Sequence, residues 1–211
     1  MKRSGAAYTV LFIFGITFLM ASLLSTAHTA TLGLVQRNQE LRYQRAVLGA
    51  IGIQEENDSE ISSRYSELHR LEVGADVVYR AVSGDSQVFA MPFSGPGVWG
   101  DITGVLALDA QNDRLAGVAI IEHNETPGLG GRVTEPEFLA QFRGEWVPPS
   151  GLALGRGGVD PDPDNGSIDA ITGATGTSRA FHQIVNSVLV ALRSHATSLG
   201  LTGRQLAGRL R

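Results

Sequence analysis

The chain has no cysteine in its 211 residues, which excludes disulfides, thiol redox chemistry, cysteine-ligated iron–sulfur clusters and Cys-x-x-Cys-His haem attachment. An electron carrier held by this polypeptide would have to be organic. Basic residues are also scarce: 17 Lys and Arg against 21 Asp and Glu leave a formal charge of −4. That balance provides no basic face of the kind nucleic acid requires, and nucleic-acid binding is not expected. There is no internal repeat or low-complexity tract. The glycine-rich segments lack the lysine of a phosphate-binding P-loop, since none follows Gly176.

One long apolar run is present. Residues 8–27 carry no formal charge and are rich in Leu, Ile, Phe and Val, with Lys2 and Arg3 ahead of them. That length matches the roughly 20 residues a helix needs to cross a bilayer. Ser25-Thr26-Ala27 imitates a signal-peptidase site, but cleavable signals have a shorter apolar core, so a retained anchor is expected. Arg37, Arg42 and Arg45 beyond the run nearly balance Lys2 and Arg3, and charge alone does not orient it. The remaining length suffices for one soluble domain with a real core.

Beyond the anchor, residues 31–53 read as a helical stalk, and residues 55–72 as a polar linker with a short surface helix. The period then changes. Residues 75–82, 87–91, 104–109 and 115–122 are short, rich in Val, Ile, Ala and Phe, and divided by Gly, Pro, Asn or Asp, as in an antiparallel meander. Gln111-Asn112-Asp113 should turn the last pair. A short helix is expected over 135–142, broken by Val147-Pro148-Pro149-Ser150-Gly151. The fold class is α+β, an N-terminal transmembrane helix followed by a twisted antiparallel sheet packed with helices. The expected divisions are 1–30 (tail and anchor), 31–72 (stalk and linker), 73–200 (folded domain) and 201–211 (C-terminal tail).

Two segments carry candidate chemistry. Asp169-Ala170-Ile171-Thr172-Gly173-Ala174-Thr175 places a hydroxyl in a small-residue loop before an amphipathic stretch. From Ser178 onward, Phe181, Ile184, Val185, Val188, Leu189 and Leu192 recur at helical spacing, with Thr177 or Ser178 as a cap. A helix start offers unpaired N–H groups and a positive dipole end, so a phosphate near Thr175 would be stabilised there. The bland alternative is a loop and an ordinary capped helix. The second segment, Glu122-His123-Asn124-Glu125-Thr126-Pro127-Gly128-Leu129-Gly130-Gly131, follows the strand predicted over 115–122. Its glycines let backbone approach a planar ligand, with Thr126 and Leu129 along one face; as punctuation they mark only a strand-to-helix turn. His123 is expected to be a hydrogen-bonded structural residue. Glu125 has two open roles, accepting hydrogen bonds from the turn or orienting a ligand.

Asp160-Pro161-Asp162-Pro163-Asp164-Asn165-Gly166 spaces carboxylates at alternate positions. A calcium loop of the EF-hand kind starting at Asp160 would need glycine at 165 and a carboxylate at 171, where Asn165 and Ile171 stand. A solvated loop that presents the next segment is expected, and no residue is assigned as a metal ligand.

The first run fills every fixed position of the flavinylation pattern Asp-x-x-(Ser/Thr)-Gly-Ala-Thr of FMN-binding redox subunits. The second resembles the His-x-Glu-Thr-Pro-Gly-Leu-Gly signature of the C subunits of sodium-translocating NADH:quinone oxidoreductases (Nqr) and of the G subunits of Rnf electron-transport complexes, both in the FMN-binding domain family. Ser94-Gly95-Pro96-Gly97-Val98-Trp99-Gly100 resembles the Gly-x-Gly-(Leu/Val)-Trp element of the Nqr C subunits, and residues 43–53 their stalk. Trp99 is expected either to pack under its loop, the commoner case for an aromatic, or to lie near a flavin.

The resemblance implies FMN joined to Thr175 as a phosphodiester by a separate flavin transferase using FAD and a divalent metal. Asp169, Thr172, Gly173 and Ala174 would serve recognition and access, and Glu125, Thr126, Gly128 and Leu129 would complete the cofactor-binding set. It further implies a single-pass protein of the bacterial inner membrane with its domain on the periplasmic side. There it would relay electrons from NADH or ferredoxin towards quinone or another acceptor, among other membrane subunits that hold the NADH site and the ion path. No residue is assigned a catalytic role. At Gly176 family members often carry a larger apolar residue. The alternatives are a role like that of the Rnf G subunits, a stand-alone anchored flavoprotein, an anchored sensor or assembly domain without covalent flavin, and noncovalent nucleotide binding.

Overall fold

The computed structural model describes residues 3–83, 86–158 and 160–198. Lys2 and the tail expected over 201–211, with Arg204, Arg209 and Arg211, lie outside them. The chain divides into two compact units, Met1–Leu41 and Arg42–Arg211.

The first unit is helical. Helix α1 (Arg3–Ala50) runs without interruption through the predicted anchor and stalk. Tyr8, Leu11, Phe12, Phe14, Phe18 and Leu24 are all exposed along it. Such a face is stable only in an apolar surrounding, and this is the one described helix long and apolar enough to cross a membrane.

The second unit is built on a five-stranded antiparallel sheet whose spatial order follows the chain: β1 (His69–Val73), β2 (Asp76–Ser83), β3 (Ser86–Pro96), β4 (Asp101–Asp109) and β5 (Arg114–Glu122). The four predicted strands are present. The stretch read as a linker does hold a short helix, α2 (Asp58–Ser66), but it ends in β1, whose polar residues pair with β2 in register from His69↔Arg80 to Val73↔Asp76. An edge strand needs little apolar content, so the hydrophobic pattern did not announce it. Strand β3 also runs on to Pro96, because its later residues find partners in β4 as far as Pro96↔Asp101. Residues 111–113 make the expected turn, with Asp113 at φ 52°.

Both faces of the sheet are covered, which explains why the strands read as apolar runs. Phe89, Met91, Phe93, Ile102, Leu106 and Leu108 face one core with α3 (Pro136–Ala140) and the long α4 (Thr175–Ser198). Val88, Ala90, Val105 and Ala107, on alternate positions, face a second core with Ala46, Val47 and Ala50 from the last turns of α1. Tyr43, Tyr65 and Tyr79 close that side, with the Tyr79 hydroxyl 3.1 Å from that of Tyr43 and 2.7 Å from that of Tyr65. Burial and the neighbouring Tyr79 push the Tyr43 phenol upward, so it stays protonated and available for bonding. A two-strand parallel pair, β6 (Ala153–Leu154) with β7 (Ser167–Ile168), brings the chain back towards α4.

Helix α4 lies across β3 and β4 through its apolar stripe Phe181, Ile184, Val185, Val188, Leu189 and Leu192. Its approach is close: a Cβ on Gly95 would lie 2.5 Å from Ile184 Cγ1. Phe181 is 1% exposed and meets the rings of Phe93, Phe138 and Phe142 at centroid distances of 6.2, 5.9 and 5.7 Å. Phe181→Ala is therefore expected to cost about 3–5 kcal/mol, measured as a lowered urea midpoint of the detergent-solubilised protein.

Candidate functional site

Helix α4 starts at Thr175, three residues earlier than the apolar periodicity indicated. The reason lies in the preceding turn. Ala174 N–H donates to the Ile171 carbonyl at 3.0 Å, closing a turn centred on Thr172 and Gly173, and Gly173 sits at φ 83°, a conformation that favours glycine. The first intrahelical bond runs from Ser178 N–H to the Ala174 carbonyl. Ser178, read as a possible cap, lies inside the helix: its hydroxyl donates to Ala174 O at 2.9 Å and accepts from Ile171 N–H at 2.9 Å. Thr175 and Thr172 are exposed and Ala174 is buried. The N–H groups of the first helical turn have no acceptor within the helix. The Thr175 hydroxyl thus stands at an open helix start in small-residue surroundings.

The second predicted segment folds back against this start. Thr126-Pro127-Gly128-Leu129 is also a turn closed by an i to i+3 bond, Leu129 N–H to Thr126 O at 3.2 Å, with Gly128 at φ 72°. Gly131 N–H reaches the same Thr126 carbonyl at 2.9 Å, starting a 3-10 helix over Gly130–Thr134. Thr126 itself is exposed, and its backbone carbonyl is the atom that organises the turn.

Glu125 ties the parts together. Only 4% exposed, it accepts the N–H groups of Val98 and Trp99 on Oε1, at 2.7 and 3.1 Å, and the Thr177 hydroxyl on Oε2. Its own N–H donates to His123 Nδ1 at 3.1 Å, the structural role expected of that histidine. Two glycines make room for the carboxylate: a Cβ on Gly97 would lie 2.4 Å from Oε1, and one on Gly130 2.6 Å from Oε2. The first of Glu125's two open roles, accepting hydrogen bonds from its own turn, is not seen: its oxygens are taken by the 97–100 loop and by Thr177. Thr177, read as a cap, is instead the donor that fixes α4 to this carboxylate. A buried hydroxyl beside a motif gives no pattern in the sequence, and only its partner reveals it.

With their backbone held inward, Val98 and Trp99 turn their side chains outward. Trp99 is 71% exposed, so of its two expected places, packed under the loop is not the one it takes. Val98 and Leu129 are also about half exposed, at 51% and 48%. Leu129 Cδ2 lies 3.6 Å from where a Gly173 Cβ would be, and Val98 Cγ2 3.2 Å from that of Gly176, so the two side chains flank the start of α4. A larger residue at 176 would crowd Val98. Gly176 therefore suits this loop.

Asp169 is half-buried and approached by a glycine loop that no sequence pattern singled out. A Cβ on Gly155 would lie 2.0 Å from its Oδ1, and one on Gly158 2.9 Å from its Oδ2, while the Gly157 position lies 3.2 Å from Thr172 Oγ1. Gln141 holds the Asp169 backbone, with Oε1 accepting its N–H at 2.8 Å. The 160–166 carboxylates are engaged locally, Asp160 Oδ1 accepting Asp162 N–H and Asp162 Oδ1 accepting Asp164 N–H, and Asp164 pairs with Arg114.

Two predicted segments distant in sequence thus meet at one exposed hydroxyl. Residues 97–190 match the FMN-binding domain family. The chain is 33% identical over 107 residues to the C subunit of the Na(+)-translocating NADH-quinone reductase of Vibrio vulnificus, covering 48% of this chain and 42% of that protein. It is 34% identical over 113 residues to the corresponding protein of Chlamydia muridarum, 43% of this chain and 36% of that one. It spans about two-fifths of the length of these relatives. Among solved structures, the C subunit of the Parabacteroides distasonis reductase superposes with a TM-score of 0.63 at 22% identity, covering 76% of this chain and 94% of that one. Shewanella oneidensis NqrC gives 0.60 at 23%, covering 72% and 91%. These likenesses carry the fold, an α+β domain on an antiparallel sheet.

Burial works against ionisation of Glu125, but the bonds from Thr177, Trp99 and Val98 outweigh it and His123 adds to them, so its carboxyl is held below the ordinary 4.5. A depressed value in the folded state means that the stability gained is complete above pH 4.5 and is lost as pH falls through the lower folded value. Glu125→Gln should lower stability at pH 7 by about 2–3 kcal/mol, since an amide cannot accept on both sides. It should also flatten the loss below pH 4.5, read from urea midpoints between neutral and acid pH.

Proposed function

We propose that Thr175 carries FMN as a phosphodiester and that the chain relays electrons as an NqrC-like component of a Na+-translocating NADH:quinone reductase. The observation that carries this reading is the exposed Thr175 hydroxyl at the start of α4, flanked by Leu129 and Val98. The residues fit the group on two counts. A helix start favours a phosphate through its free N–H groups and dipole, and these two exposed apolar side chains supply surface for a planar ring.

Attachment would be a phosphoryl transfer in which the Thr175 oxygen bonds the FMN phosphorus of FAD, the pyrophosphate P–O bond breaks, AMP leaves, and the hydroxyl proton passes to the departing phosphate or to solvent. Gly173, Ala174 and Gly176 keep bulk away from the hydroxyl, so a transferase can reach it. The turn at Thr172 and Gly173 presents the acceptor, and the Gly155 to Gly158 loop packs closely on the Asp169 carboxylate. Gly128 shapes the turn that positions Thr126 and Leu129. Bound there, FMN would supply reversible electron transfer, which the polypeptide lacks. The Glu125 clamp keeps the Val98 and Leu129 surfaces at a set spacing, and such fixed dipoles and dielectric set a cofactor's potential.

Helix α1 would anchor the domain in the bacterial inner membrane, on the periplasmic side and beside the other membrane subunits, as the resemblance to NqrC supports. Thr175→Ala should abolish covalent flavin, giving no fluorescent band after denaturation and an intact mass of bare polypeptide, while the folded domain keeps wild-type thermal stability. Flavin retained covalently in that variant would refute the assignment.

A further inference from the structure

We propose that the Arg179 guanidinium binds the phosphodiester that joins FMN to Thr175 and thereby fixes the cofactor against α4. This rests on the reading of Thr175 above. Residues four apart share one helix face about 6 Å apart between Cβ atoms, and every Cα–Cβ bond leans towards the helix N-terminus. An arginine at 179 therefore leans over the residue at 175. Both are exposed, and Thr177 and Ser178 between them turn inward to Glu125 and Ala174. Arg179 forms no ion pair with another described residue, and the first turn of α4 contains no acid to compete for it.

Two other arginines lie near the motif. Arg132 Nε is already bonded to Glu135 at 2.9 Å, and Arg156 sits on the loop packed against Asp169. A planar guanidinium suits two phosphate oxygens. It would approach from one turn along the helix while the terminal N–H groups approach from the helix end.

The test uses full-length protein co-expressed with a flavin transferase, in wild-type, R179Q, R179K, R156Q and R70Q forms. Arg70 is an exposed arginine on β1 and controls for charge alone. Intact mass gives loading; visible circular dichroism of the flavin, flavin anisotropy and the 31P chemical shift of the diester report its fixation. R179Q is expected to load like wild type, to lose at least half of the dichroism, to show lower anisotropy and to shift the phosphorus resonance. R179K should keep most of the dichroism, and R156Q and R70Q should match wild type. The proposal is overturned if R179Q is indistinguishable from wild type, or if the losses appear in R156Q instead. It also falls if R179Q keeps wild-type thermal unfolding but accepts no flavin, because the arginine then acts in transfer and not on the finished diester. A wild-type protein without adduct would instead sink the Thr175 assignment itself.

Discussion

One buried carboxylate holds three parts of this protein in place. Glu125 sits just beyond the end of β5, receives the N–H groups of the loop between β3 and β4, and takes the hydroxyl of Thr177 on α4. Burying an ionised group is costly unless it is hydrogen-bonded, and here each oxygen has donors. The same bonds that offset desolvation fix the distances among the loops. Removing any partner would leave a buried charge short of a donor, so the arrangement acts as a unit.

That clamp governs what the surface presents. Loop 97–100 uses its backbone inward, so its side chains face out, and the 126–129 turn projects Leu129 beside the same helix start. Two turns of like geometry, each with glycine at positive φ in its third place, put the two motif segments against one another. Three other glycines act sterically: Gly97 and Gly130 leave space for the carboxylate, and Gly95 lets α4 approach β3.

Much of the architecture was legible in the residues. The apolar run of α1, the four apolar strands, the 111–113 turn and the stripe of α4 all follow from period and from turn chemistry. The edge strand β1 was not, because His69, Arg70 and Glu72 pair through backbone and need no hydrophobic signal. The start of α4 was misplaced by three residues, since Thr177 and Ser178 look like caps when their real partners, Glu125 and Ile171, are unknown. Of the two places open to Trp99, packing under its loop is not the one taken: the loop's backbone is claimed by Glu125, and the indole is exposed.

Local composition and spacing were enough to specify the membrane-compatible helix, the α+β class and the two motifs, because each is written within a few turns or strands. Long-range packing was needed to bring the motifs together, to make Glu125 a clamp, and to leave the exposed Val98 and Leu129 flanking the start of α4. Those outcomes depend on contacts between residues from 26 to 52 positions apart, and a hydrogen bond at that separation exists only once the sheet and α4 have packed.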